Sequence, residues 1–281
     1  DRFQIFKTFY QWRVFFIKNG LQLGVEFLLF VIIKPKPYYV INYLIGSQMQ
    51  WFGYDKDGNE MIEKSIKKLK NFSASQYHSV SVQNTKNGNY NKAIEYLDKA
   101  SELEPEEVDG YYGWLLLYYY RDYEKALFHL NRYDAFTPNF VDYPQGDNIL
   151  FTKALCYKEL GQYSKALELF DNAIKSELKE HDESWISHQV YFQKARTLHL
   201  LGQQKKAIEY YDKTIKLWVK SSESFYFKGL AQIEINDSLA GRDNLNIALD
   251  LVTKGYKTSD SYVELFDEVY QMEIEKTINE L

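Results

Sequence analysis

Residues 147–174 read DNILFTKALCYKELGQYSKALELFDNAI, and residues 188–215 read HQVYFQKARTLHLLGQQKKAIEYYDKTI. Both contain Lys-Ala, then Leu-Gly-Gln, then Lys-Ala-Leu/Ile-Glu. Apolar and small residues recur at helical spacing, a glycine-bearing turn follows, and a second helical run completes the unit. In the first stretch Ala154, Ala166 and Ala173 fall where two helices must approach closely, and Leu150, Tyr157 and Phe170 fill the space around them. One such hairpin cannot bury both of its apolar faces, so neighbouring hairpins must stack.

This internal grammar resembles the tetratricopeptide repeat family. The family pattern runs through five copies across residues 73–257, covering about two thirds of the chain. The second-helix small residues are Ala93, Ala126, Ala166, Ala207 and Gly241. Further along each copy come Leu97 and Ala100, Leu130 and Tyr133, Phe170 and Ala173, Tyr211 and Thr214, and Leu245 and Ala248. The family's helix-ending proline stands as Pro105 and Pro138 and is missing from the last three copies. Copy two departs most, with Gly113 and Trp114 near the close-packing position and the run Tyr118-Tyr119-Tyr120 behind them. Residues 38–72 read as a worn helical repeat, with Ile45-Gly46 as a close-packing pair and Gly58 ahead of a second helical run.

The resemblance implies an all-α fold, a TPR superhelix (α-solenoid), and a non-catalytic role in holding other proteins. It also implies which positions face the groove. The fifth position of each copy is His78, Tyr111, Phe151, Phe192 and Tyr226, and the ninth is Val82, Leu115, Leu155, Arg196 and Leu230. Chaperone-binding members clamp a C-terminal carboxylate with Lys, Asn and Arg at such positions. Here Leu155 and Leu230 stand where Asn is expected, so that clamp is absent. The expected partner groove is therefore His78, Tyr111, Phe151, Phe192, Arg196 and Tyr226. An aromatic groove of this kind suits an amphipathic helix or an extended apolar segment. The alternative is that these aromatics pack inside the superhelix.

Residues 3–33 read differently. They are rich in Phe, Leu, Ile and Val, and Pro35 and Pro37 close the stretch. A narrow polar stripe including Gln11, Lys18, Gln22 and Glu26 marks a long N-terminal helix (domain 1–37) with a wide apolar face. Residues 14–33 would rise about 30 Å, the thickness of a bilayer core. The apolar residues favour insertion by roughly 4 to 8 kcal/mol, and Lys18 and Glu26 oppose it by roughly 5 to 7 kcal/mol. With the terms so nearly balanced, the helix either enters membrane lipid inside a larger complex, docks on protein, or lies on the bilayer surface. At the other end, residues 258–281 are expected to form a C-terminal capping helix with Val263, Phe266, Val269 or Tyr270, and Ile274 on one face.

Composition excludes several functions. The net charge is −5 with signs interspersed, so no nucleic-acid face is expected. The one cysteine, Cys156, cannot form an internal disulfide and reads as a small core residue. None of the five histidines forms H-E-x-x-H, and neither a phosphate loop nor a nucleophile elbow is present. Asp55-Lys56-Asp57-Gly58-Asn59-Glu60 lacks the frame of a calcium loop and reads as an acidic turn. No catalytic residue, metal or cofactor is expected, and the partners are proteins of a larger complex. Asp1 in place of Met is expected to reflect removal of a targeting segment. The resulting expectation is a membrane-associated scaffold, with an accessory subunit of a mitochondrial respiratory-chain complex as the specific case. The alternative is a membrane-anchored import receptor or co-chaperone.

Overall fold

The structure, a computed structural model, describes residues 37–66, 68–69, 72–260 and 262–281. Every regular element among them is helical, so the all-α expectation holds. The chain divides into two compact units, Asp1–Glu104 and Pro105–Leu281.

In the first unit, α1 (Pro37–Trp51) and α2 (Asp55–Ile66) form a hairpin crossed through two glycines. A Cβ on Gly46 would lie 2.7 Å from the carbonyl oxygen of Gly58, and one on Gly58 would lie 2.6 Å from that of Gly46. The backbones touch because neither residue carries a side chain. Asp55–Gly58 is thus the first turn of α2, not a separate acidic turn. The crossing contact compensates glycine's poor helix propensity there. The next hairpin joins α3 (Ala74–Lys86) to α4 (Tyr90–Leu103). Ser73 opens α3 with a capping box, its hydroxyl accepting from the Gln76 amide while the Gln76 side chain accepts from the Ser73 amide. Val80 and Tyr96 pack with Ile62 in one buried cluster of this unit, and Ile41 and Ile45 form another.

The second unit repeats the hairpin: α5 (Pro105–Leu115) with α6 (Tyr123–Asp134), α7 (Ile149–Glu159) with α8 (Tyr163–Glu180), α9 (His188–Leu200) with α10 (Gln204–Leu217), and α11 (Ser222–Glu234) with α12 (Ser238–Thr253). Ala126, Ala166, Ala207 and Gly241 are buried at the crossings beside Leu130, Phe170, Tyr211 and Leu245. The lysine just ahead of each first-helix crossing residue (Ala154, Ala195 and Gly229) has its own task. Lys153 pairs with Asp134 at 2.7 Å, Lys194 with Asp171, and Lys228 with Asp212 at 2.6 Å. Each pair ties the first helix of a hairpin to the second helix of the hairpin before it. Ala154, Ala166 and Ala173 are at most 1% exposed. Ala166→Leu is accordingly expected to overpack the α7–α8 crossing and cost about 1–3 kcal/mol in chemical denaturation. Unchanged stability would mean the crossing has room to spare.

Copy two follows a different spacing. Four copies separate the first-helix crossing residue from its second-helix partner by twelve positions (81 to 93, 154 to 166, 195 to 207, 229 to 241). In copy two Gly113 occupies the crossing. Its virtual Cβ would meet Leu130 at 2.6 Å and the Ala126 carbonyl oxygen at 3.1 Å, as that of Gly229 would meet Leu245 and the Gly241 carbonyl. The interval is then thirteen (113 to 126). The extra residue is absorbed by a π-helical turn, Leu116–Tyr120, which ends in a left-handed Arg121 at φ 54°. Tyr133 stands where other copies have a small residue, and Gly110 makes room for it, a Cβ there lying 3.0 Å from its ring.

The C-terminal end also departs from the sequence reading. Helix α13 spans only Gln271–Asn279. Residues 254–260 and 262–270 run from the end of α12 as a non-helical strap. Asp267 interrupts helical continuity with a left-handed backbone, φ 58°. Val269 and Ile274 are fully buried against the α9–α12 core, so this end does close the apolar face.

The membrane-associated location, with a mitochondrial membrane as its specific case, is corrected. Among the described residues no helix is long and apolar enough to cross a membrane. The longest, α8, has 18 residues and carries charges along its length, whereas a span needs about 20 apolar ones. Here the apolar residues are used at helix crossings. The N-terminal helix and its stripe of Gln11, Lys18, Gln22 and Glu26 lie outside the described residues.

Candidate functional site

The first helices of successive hairpins lie side by side in the second unit, with α9 touching both α7 and α11. The strap crosses this inner face. Its carboxylate at Asp267 receives Lys158 from α7 on one oxygen and Arg196 from α9, at 2.9 Å, on the other. Lys158 is 2% exposed and Asp267 14%, so the three charges sit largely away from water. Gln193 joins the two layers, its side-chain oxygen accepting from Lys158 at 2.6 Å and its amide donating to the Phe266 carbonyl at 3.3 Å. One residue earlier, the Phe266 ring lies under the Arg121 guanidinium at 4.0 Å, with Tyr118 at 5.6 Å and Tyr123 at 6.3 Å. Arg121 also donates to the Glu264 carbonyl. The π-helical turn is what brings Tyr118 and Arg121 to this place. At the near end of the strap, Glu223 accepts from the Thr258 amide at 2.6 Å and Gln189 donates to its hydroxyl at 3.2 Å.

The residues expected to form the groove have different surroundings. Phe151 is 6% exposed, packs on Phe170 and lines a cavity beneath the strap. Phe192 is 3% exposed between Tyr211 and Phe227. Arg196 lies 3.6 Å over the Phe227 ring while it binds Asp267. Tyr226 is buried, with its hydroxyl 3.1 Å from that of Thr277 in α13. Tyr111 is half-buried and stacks on Trp114. With Gly113 at the crossing, Tyr111 stands one position away from the register of Phe151 and Tyr226. His78 belongs to the first unit, where burial lowers its pKa.

The cavity has a volume of about 250 Å³ and is walled by Trp114, Tyr118, Phe151 and Phe266, with Asp147 and Asp260 at its polar side. Burial pushes the Asp147 carboxyl up, against hydrogen bonds from Tyr118 and Trp114 that pull it down. Cys156 is buried in α7, where desolvation raises its thiol. Among the described residues no cluster of His, Cys, Asp and Glu could hold a metal ion.

The sequence gives no sign of a role for Lys158, Gln193 or Arg121, and it marks Tyr118 only as part of an aromatic run and Phe266 and Asp267 only as parts of a capping helix. Lys158 and Asp267 are 109 positions apart, beyond the reach of any periodic pattern. The thirteen-residue interval was visible in the residue numbers, but choosing Gly113 over Trp114 required the packing.

A family model described as Iml2/Tetratricopeptide repeat protein 39 matches residues 86–280, well over half of the chain and including the whole strap. The chain belongs to this family. Its fold is accordingly that of a TPR-type protein-interaction scaffold. Similar solved structures include MamA (41-end) from Desulfovibrio magneticus RS-1, 17% identical with a TM-score of 0.54, covering 64% of this chain and 96% of that one. PilW, a widely conserved type IV pilus biogenesis factor, is 16% identical with a TM-score of 0.55, over 75% of this chain and 92% of its own. Pseudomonas aeruginosa pilF is 16% identical with a TM-score of 0.54, over 76% and 92% respectively. At these identities the likeness is one of fold alone. No curated protein matches the chain.

Proposed function

We propose that this chain is a non-catalytic scaffold that holds an extended segment of a partner protein along the inner face of α7 and α9, as a component of a protein complex. The strap is the observation that supports this reading. It is an irregular segment held on that face by groups suited to any extended chain: a glutamine amide and a guanidinium on backbone carbonyls, and two cations on a carboxylate. Phe151 and Arg196 are the proposed contact residues of the original groove set. Phe192 and Tyr226 support them from behind, and Tyr111 extends the set toward its N-terminal side; His78 belongs to the first unit and is left out of this face.

The test is site-specific photo-crosslinking of the full chain in its native source. A crosslinking residue at Gln145 or Gln189, both on the cavity wall, should capture one stoichiometric polypeptide. The same residue at Lys175, exposed on α8, should not. Equal capture at Lys175, or no capture at Gln145 and Gln189, would reject the inner face as the working surface. Capture that is reproducible but substoichiometric would favour a co-chaperone over a complex subunit.

A further inference from the structure

The strap is joined to the rest of the unit at two places that do not depend on its middle. Thr258 is held by Glu223 and Gln189 at one end, and Val269 is fully buried at the other. Between them, residues 259, 260, 262 and 264 are exposed. The side chains that hold the middle most closely are Phe266 and Asp267, beside the Arg121 bond to the Glu264 carbonyl, and those two residues meet a site of definite chemistry. One carboxylate is gripped on both oxygens by cations from two different helices. Beside it, a ring fits a slot made by Tyr118, Tyr123 and the flat face of Arg121. Gln193 reads the carbonyl that links the ring residue to the acid. If the strap's middle lifted away, Lys158 and Arg196 would be left facing the groove without Asp267, a ready receptor for another carboxylate.

We infer that the inner face of α7 and α9 recognises an aromatic residue followed directly by aspartate in an extended partner segment, and that Phe266–Asp267 is an internal copy of that motif which occupies the site until the partner displaces it. The inference rests on the scaffold reading above and names its partner's chemistry. It differs from the carboxylate clamp of chaperone-binding repeats because the acid read here is an internal side chain, gripped between α7 and α9. Binding by the free partner is weakened by the fraction of molecules whose strap is seated, so loosening the strap must strengthen it.

The probe is a synthetic peptide with the sequence of residues 262–269, titrated by fluorescence anisotropy against the full chain. The receptor carrying Phe266→Ala and Asp267→Ala should bind the peptide at least about tenfold more tightly than the wild type does. Within that receptor, Arg196→Met should weaken binding by about tenfold or more, and so should Asp267→Asn made in the peptide. A folded double variant that binds no better than wild type, or a peptide indifferent to its aspartate, would overturn the inference. Should the double variant lose its fold, the wild type decides: excess peptide must raise amide exchange across 259–267 while leaving α7 unchanged, and no rise would overturn it. The titration needs no natural partner, so its failure is separable from failure of the crosslinking test. Capture at Gln189 with no peptide binding would leave the scaffold reading standing and remove only the motif.

Discussion

Phe192→Ala is expected to lower the free energy of unfolding by about 3–5 kcal/mol, the cost of removing a large aromatic side chain from a packed core. The ring is 3% exposed, so little of it meets water. It touches Tyr211 in the second helix of its own hairpin and Phe227 in the first helix of the next, and Arg196 lies on the Phe227 face. Its loss should therefore loosen the α9–α11 contact and the seat of Arg196 together. Urea denaturation of the full chain, with intrinsic fluorescence as the signal, measures this. A loss below 1 kcal/mol would show that the site collapses around the gap, or that the ring faces solvent. Phe151 is almost as buried, so a joint Phe151→Ala and Phe192→Ala variant reports on stability at least as much as on partner binding.

Asp267→Ala is expected to cost about 3–5 kcal/mol for as long as the strap stays seated, because Arg196 would remain buried without its counter-charge and Lys158 would keep only Glu159, at 3.0 Å. The chain has an easier course, which is to lift the strap and let both cations reach water. The measured loss is then limited to the strap's own holding energy, and hydrogen exchange should show deprotection of residues 257–270 with α7 and α9 still protected. Acid should act on the same contact. Burial alone pushes the Asp267 carboxyl up, but Lys158 and Arg196 outweigh it and bring the group down to about 2. A carboxylate depressed in the folded state contributes stability that is fully present above its unfolded value of about 3.9 and is lost as the pH falls toward 2. That contribution is on the order of 2–3 kcal/mol in the wild type. Asp267→Ala should lack this part of the acid profile. Identical acid profiles for the two proteins would mean that Asp267 does not hold the strap.

The hairpins of the second unit could be read from the sequence because each depends on local spacing. Ala126, Ala166, Ala207 and Gly241 had to be small where helices cross, and the large residues around them recur at helical intervals. Even the lysine ahead of each crossing residue is in plain view, although only the structure gives it Asp134, Asp171 or Asp212 as a partner. The site was less legible. Arg196 and Phe151 could be picked out by position within a copy, and they now stand beside the strap. Lys158 looked like an ordinary polar residue on a mostly apolar helix. Residues 258–270 have apolar members that fit a helical face on paper, yet Asp267 turns left-handed to place its carboxylate between two cations. Periodicity describes a chain that packs on its neighbours in sequence, and it is silent about a segment held by side chains from distant helices.

The inserted residue in copy two has a consequence for how a ligand is addressed. An array of like hairpins presents the same inner surface again and again, so a bound segment could shift by one hairpin and meet nearly the same chemistry. The π-helical turn removes that degeneracy. Tyr118 and Arg121 project where they do only at this copy, and they fix the ring of Phe266 at one place beside Lys158 and Arg196. On the binding mode proposed above, a single extra residue thus serves as an origin mark on a periodic ruler, giving an otherwise translational surface one phase for the bound segment.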